Sequence, residues 1–109
     1  NVLVDYIIGL LGDHLNPSIN LNARILASTE SEGCSLDMGD WHSCETTHCR
    51  GGWAIHNHSI GYELEKYFGP WMAGAIIYKK STGHIPDFHA SKDDAMADLR
   101  KRAEEETAP

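Results

Sequence analysis

Apolar residues recur along most of this chain at helical spacing, and they divide it into a series of short helices. Over Val2 to Leu11, the residues Leu3, Ile7 and Leu10 fall on one face and Val4, Ile8 and Leu11 on the adjacent one, with Gly12 as a stop. A helix apolar on so many sides must be covered on more than one, by the rest of its own domain or by a neighbouring chain. Asn16-Pro17 marks a turn. Ile19 to Ser28 fits both an alternating strand and a helix face; the helix formers Ala23, Arg24, Leu26 and Ala27, with Asn20 as a cap, favour the helix. A polar loop over residues 28 to 35 follows, with Cys34 near its end.

In the second half, Ser59 to Phe68 reads as a helix with Ile60, Leu64, Tyr67 and Phe68 inward, closed by Gly69. Pro70 opens another, whose stripe of Trp71, Ala75 and Tyr78, beside Met72 and Ile76, runs to Lys79-Lys80 at the cation-favouring end. Gly83 to Phe88 is a connector with Ile85 and Phe88 as core plugs. Ser91 and Asp94 form a capping box with Asp in place of Glu or Gln, and the last helix reaches about Glu105 on a seam of Met96, Leu99 and Ala103. The Glu104-Glu105-Glu106 run reads as solvated, and Thr107 to Pro109 as a frayed tail.

The middle of the chain breaks this regularity. Leu36, Met38 and Trp41 anchor a short segment in the core, and Trp41 to Ile55 then gathers two tryptophans, two cysteines, two histidines and a glycine pair. Thr46-Thr47 before a run of small residues predicts a helix starting near His48, capped by a threonine hydroxyl, with Cys49 in its first turn. Glycine inside a helix costs about 1 kcal/mol relative to alanine, so Gly51-Gly52 predicts close approach by another helix or a tryptophan ring. The expected fold is therefore all-α, a compact single domain over residues 1–109, with five or six short helices around a Cys/Trp-centred turn. Starting at Asn1 rather than Met, the chain reads as a fragment or C-terminal domain of a longer one.

The motif residues Trp41, Cys44, Thr47, Cys49, Gly51, Gly52 and Trp53 admit several chemistries. Cys44 and Cys49 could bind zinc together with His42 and His48, or with His56 and His58, because zinc favours thiolate and imidazole in a tetrahedron; a second Cys pair or a His-x3-His is missing. They could form a disulfide across a short loop. Cys49, at a helix entrance beside His48, could be a thiol nucleophile, although no orienting Asp or Asn can be assigned to a histidine. The plainest reading makes both cysteines small buried hydrophobes that lock a turn between two tryptophans. No catalytic set and no resident cofactor follow from these spacings, zinc being the alternative.

Charge narrows the partners. The formal net charge is -7, and residues 1 to 49 hold seven acids against Arg24 alone. Such a surface repels phosphate backbones, so nucleic acid is disfavoured and a basic protein partner is not. The mostly apolar stretch from Asn1 to Leu11 is too short to span a bilayer and lacks the basic start of a signal peptide. Three cysteines, an odd number, point to a reducing compartment rather than a disulfide framework. With 41% hydrophobic and 23% charged residues the chain has ordinary globular usage.

The motif Trp41-His-Ser-Cys-Glu-Thr-Thr-His-Cys-Arg-Gly-Gly-Trp53, followed by Gly61 to Glu65, Ile76 to Tyr78 and Ile85 to Phe88, resembles a small uncharacterised domain of phage and bacterial proteins. Some members follow pentapeptide repeats. The likeness runs from about Asn20 to Arg102, while His56-Asn57-His58-Ser59 departs from the family's small-residue stretch. The family carries no activity to transfer. What the resemblance implies is context: a phage-related protein, cytoplasmic or virion-associated, cut from a longer chain. Negative charge, small size and the lack of a catalytic set point separately to a non-enzymatic interaction module that docks a protein partner or its parent chain through the acidic first half or through the Val2 to Leu11 helix.

Overall fold

The computed structural model describes all residues from Asn1 to Pro109. Six α-helices are present: α1 Val2–Leu11, α2 Leu21–Glu30, α3 Arg50–His56, α4 Gly61–Phe68, α5 Pro70–Thr82 and α6 Lys92–Thr107. A 3-10 turn, Gly12–His14, leads out of α1. The short α3 sits at the centre, against α5 on one side and α2 and α4 on others; α2 lies along α6, and α1 lies on α5. Trp53, Ala54, Ile55, Ala75, Ile76, Ile77, Leu64, Leu21, Ile25 and Leu99 form one core between them.

Several helix ends follow from their sequence. Asn1 caps α1 by accepting from the backbone N–H groups of Leu3 and Val4, at 2.9 and 3.2 Å. Ser91 Oγ accepts from Asp94 N–H at 3.2 Å at the start of α6, and Pro70 stands in the first turn of α5. The entry to α2 differs from expectation. Asn20 takes the cap position in a left-handed conformation, φ 55°, but its side chain caps nothing. Glu106 from α6 does so instead: its carboxylate accepts from Ala23 N–H at 2.9 Å, Asn22 N–H at 3.2 Å and Asn22 Nδ2 at 3.1 Å. Four free amide hydrogens and a positive dipole end make that helix start a natural seat for an anion. The acidic run is therefore not wholly a solvated tail, and α6 stays helical through Thr107 because Glu106 pins it.

The all-α expectation holds for the helices and fails for the motif. Ser35–Leu36 (β1), His42–Cys44 (β2) and Thr47–His48 (β3) form a small mixed sheet in the order β1-β3-β2, parallel between β1 and β3 and antiparallel between β2 and β3. The His42 to His48 stretch is thus a hairpin, with an irregular register between His42 and Cys44. Thr46 lies in its turn, and the β-branched Thr47 suits the strand that follows. Thr47 consequently caps no helix; its hydroxyl lies 3.1 Å from that of Ser35 across β1 and β3.

The helix after the hairpin begins at Arg50, and Cys49 is its cap: Sγ accepts from Gly52 N–H at 3.3 Å. Asp40 O and Trp41 O both accept from Cys49 N–H, at 3.1 and 3.3 Å, which holds that residue extended. The glycine expectation holds. A β-carbon on Gly51 would strike the Trp41 ring, and one on Gly52 the Trp41 carbonyl oxygen. On the far side of α3, Gly74 approaches Gly51, where an added β-carbon would lie 3.4 Å from Gly51 Cα. In α4 only Gly61 and Leu64 are buried; Tyr67 is 77% exposed, so Tyr67 and Phe68 do not plug the core.

Candidate functional site

Two polar clusters flank α3. The first surrounds Arg50, whose side chain is buried although its residue opens a helix. Its Nε donates to Tyr78 Oη at 2.9 Å, one terminal nitrogen to Asp98 Oδ2 at 2.6 Å and the other to Asn22 Oδ1 at 2.8 Å. Tyr78 Oη donates in turn to Asn22 Oδ1 at 2.7 Å, and Arg102 Nε reaches Asp98 at 3.0 Å. One guanidinium thereby ties α3 to α2, α5 and α6. A planar fork with fixed donors suits three acceptors better than a point charge does. Burial alone pushes the Asp98 carboxyl up, but the Arg50 hydrogen bond and charge, joined by Arg102, outweigh it and hold the group below the usual carboxylate range. Burial pushes the Tyr78 phenol up to about 12, so it stays a donor. No buried side-chain nitrogen or oxygen is left without a partner.

The second cluster lies where the hairpin meets α3 and α4. His42 Nδ1 and His48 Nδ1 are 2.7 Å apart, His42 Nε2 is 2.7 Å from Glu65 Oε2 on α4, and His48 Nε2 is 2.9 Å from the Glu45 carbonyl oxygen. His56 stacks on His48 with ring centroids 4.7 Å apart, and its Nδ1 lies 2.9 Å from Tyr62 Oη. Trp53 meets His48 edge to face at 4.6 Å and donates its indole N–H to Ser35 O at 3.0 Å. Burial pushes the His48 pKa down, with His42 and His56 acting the same way by charge. Burial therefore favours the neutral form of the His48 ring inside the hairpin. His58 is set apart from these rings, its Nε2 2.7 Å from Asn16 O and its Nδ1 accepting from Ile60 N–H at 3.1 Å.

The sequence-predicted site residues divide accordingly. Trp41, Gly51, Gly52 and Trp53 come together as the packing seam between hairpin and helix. Cys44 and Cys49 do not meet: Cys44 is exposed on the hairpin, 3.4 Å from Thr46 Oγ1, while Cys49 is buried with its sulfur turned to Gly52. All three cysteines are free. The zinc set is not assembled either. His42 and His48 engage each other, Glu65 and the Glu45 carbonyl with all four ring nitrogens, and no group of three or more His, Cys, Asp or Glu is placed to hold a metal ion.

As a nucleophile Cys49 is mis-set, because burial pushes its thiol up and outweighs the helix N–H groups that favour the thiolate. The thiol held below its ordinary value is Cys44, chiefly through the Thr46 hydroxyl and backbone. The crevice on which Cys49 borders, between Met38, Trp41, Phe88 and His89, encloses about 180 Å³. That falls short of the few hundred that ligand sites enclose. The larger hollow, about 480 Å³ beside Arg102 and Glu106, is lined by polar residues with Ile19.

Residues the sequence reading passed over are Arg50, Asn22, Tyr78 and Asp98 in the first cluster and Glu65 and Tyr62 in the second. A signal existed for one: Arg50 is the lone charge in the run from Cys49 to Ile55, otherwise apolar or small. No family model, no curated protein and no solved structure matches this chain. The fold and the two clusters together define a small helical domain strapped by a hairpin, with ordered polar chemistry directed inward.

Proposed function

We propose that this chain is a non-enzymatic interaction module of a phage-related protein, docking a protein partner or the rest of its parent chain through the outer face of α1. One observation carries the reading. α1 buries Val4 and Ile7 against the body of the domain, while Val2, Leu3, Tyr6 and Leu10 stand 88, 53, 62 and 67% exposed. Leu3, Tyr6 and Leu10 recur at helical spacing, so they make one apolar stripe rather than scattered residues. A stripe of that kind on a small domain marks an interaction surface. Asp5 on the same helix and Asp13 just after it add the negative rim that a basic-edged partner fits. No helix is long and apolar enough to cross a membrane, and the acidic first half disfavours nucleic acid.

The test is Tyr6→Glu with Leu10→Glu, residues whose exposure lets the domain fold unchanged by circular dichroism. Sedimentation of the native chain over a wide concentration range, and reconstitution with any purified partner it captures, give the reference. The double variant should weaken the complex at least about tenfold, as loss of an aromatic anchor does. Equal binding by the variant and the native chain, or a native chain that associates with nothing, overturns the reading.

A further inference from the structure

We infer that the chain Glu65–His42–His48 stores one proton more than two neutral imidazoles and a carboxylate supply, and that this proton latches the β2–β3 hairpin to α4. The Glu45 carbonyl only accepts, so His48 Nε2, at 2.9 Å, carries a hydrogen. His48 is buried to 1% exposure and its burial favours the neutral ring, which leaves Nδ1 a bare lone pair. His42 Nδ1, at 2.7 Å from it, must then be the donor. A neutral His42 has no second hydrogen, and its Nε2 lone pair would face a carboxylate oxygen at 2.7 Å. The joint is closed only when a further proton sits in it, and because imidazole is far more basic than a carboxylate, that proton makes an imidazolium against a carboxylate. Three joints need three protons, and the neutral rings bring two.

The surroundings favour keeping that proton. Against the rings lie Glu65 and the Tyr62 phenol from α4 and His56 from α3, while the Glu45 backbone carbonyl meets His48 Nε2 and Asp40 Oδ1 accepts from the His42 backbone N–H at 3.3 Å. Glu65 is the one carboxylate bonded to a ring nitrogen. His42 and Glu65 are each 22% exposed at the side chain, so the proton can exchange with water. When it leaves, two lone pairs oppose each other and the weakest joint, the one to α4, parts. The hairpin then loses its tie to the helical body without any change in the Arg50 cluster. Nothing in this depends on what α1 contacts.

The experiment is histidine ring nitrogen NMR across pH, with amide exchange followed in the same samples. His42 should show two protonated nitrogens, and His48 the Nε2–H neutral form, over the range where Ser35, Asp37 and Cys49 amides are protected; these three bond to Thr46 O, His48 O and Trp41 O. Loss of the second His42 proton should lower their protection factors about ten- to hundredfold, the effect of one charge-assisted hydrogen bond. Glu65→Gln sharpens the test, because a carboxamide N–H₂ donates to a neutral His42 Nε2 and completes the chain without the extra proton. Its hairpin should stay protected at the pH where the native one opens, while Glu65→Ala stays open throughout. A His42 that is neutral while the hairpin remains protected sinks the inference. So does a Glu65→Gln hairpin with the native pH profile.

Discussion

Arg50 and His42 both reach a carboxylate on a distant helix, at 2.6 Å to Asp98 and 2.7 Å to Glu65, and both do so within networks whose polar atoms are satisfied. Their settings differ. Arg50 lies under α2, α5 and α6 with a charge that no ordinary pH removes, and three acceptors fix its plane. His42 sits at the rim on a strand of three residues, in a chain of bonds that holds only for one proton count. A small domain can thus use one kind of bond for two purposes. A permanent cation assembles helices, and a titratable one fastens an appendage to them.

The largest effect should come from the permanent cation. Arg50→Ala removes the group shared by four helices and opens a cavity, and breaking a buried ion pair costs about 3 to 5 kcal/mol. Urea unfolding should show that loss, and Arg50→Lys should recover only part of it, since an ammonium cannot meet Tyr78, Asn22 and Asp98 in one plane. If Arg50→Lys is as stable as the native chain, the fork geometry has no role. Glu65→Ala, the matching cut in the other cluster, should cost far less than Arg50→Ala; equal losses would erase the distinction between them.

Next in size is the seat of the hairpin. Gly52→Ala drives a methyl into the Trp41 carbonyl, and Gly51→Ala drives one into the Trp41 ring. Overpacking of this kind costs about 1 to 3 kcal/mol, and a backbone oxygen yields less readily than a ring at the domain edge. Thermal melts should therefore rank Gly52→Ala below Gly51→Ala. The reverse order would place the stiff contact on the indole.

Much of this architecture is legible in the chain itself, and the missing parts share a cause. The helices α1, α5 and α6 are readable because each carries a long apolar stripe and a local end signal: Gly12, Pro70 with Lys79-Lys80, Ser91 with Asp94. The close approach at Gly51-Gly52 follows from glycine alone. The sheet does not, because strands of two and three residues show no period, and a Thr-Thr pair before a helix looks like a cap. Glu106 is invisible as the cap of α2 because its partner Asn22 is 84 residues away. Tyr67 and Phe68 misled because α4 has two turns and buries only a narrow strip. The clusters fall in the same class: Cys, His and Trp mark the place, while their partners Asn22, Glu65, Tyr78 and Asp98 come from other helices.

A smaller effect separates the clusters by pH. His48 has its pKa depressed by burial, so in acid the unfolded chain takes up a proton that the folded hairpin resists. Stability from that ring is complete above its ordinary value of 6.5 and is lost as the pH falls through the lower folded value. His84, also depressed by burial and by Arg102, is exposed beside Arg50 and Asp98 and adds only a small loss on that side. The charges of the Arg50 cluster itself do not titrate there. Asp98 is likewise depressed, so its contribution holds above 3.8 and fails only in stronger acid; Tyr78, raised to about 12, loses its share only above pH 10. On the acid side of the range in which the Glu65–His42 joint is closed, amide exchange should therefore loosen the hairpin first and leave Asn22 and Tyr78 protected. Simultaneous loosening would mean that the two clusters unfold as one unit.

The smallest perturbation is thiol labelling, which reads the same distinction without altering a side chain in either network. Cys44 is exposed, and the Thr46 hydroxyl and backbone hold its thiol below the ordinary value, so it should alkylate within the first sampling of the native protein. Cys49 is 3% exposed with its thiol pushed up by burial, and its sulfur accepts the Gly52 N–H, so it reacts only when the hairpin lifts from α3. If the strap opens by itself, mass spectrometry should show Cys49 labelling at a rate above that of global unfolding. Cys44→Ser should leave that rate unchanged and stability within about 0.5 kcal/mol, as surface substitutions do. A Cys49 rate equal to the global unfolding rate would show that the hairpin and the Arg50 body are one cooperative structure, and the contrast drawn between them would then be one of chemistry alone.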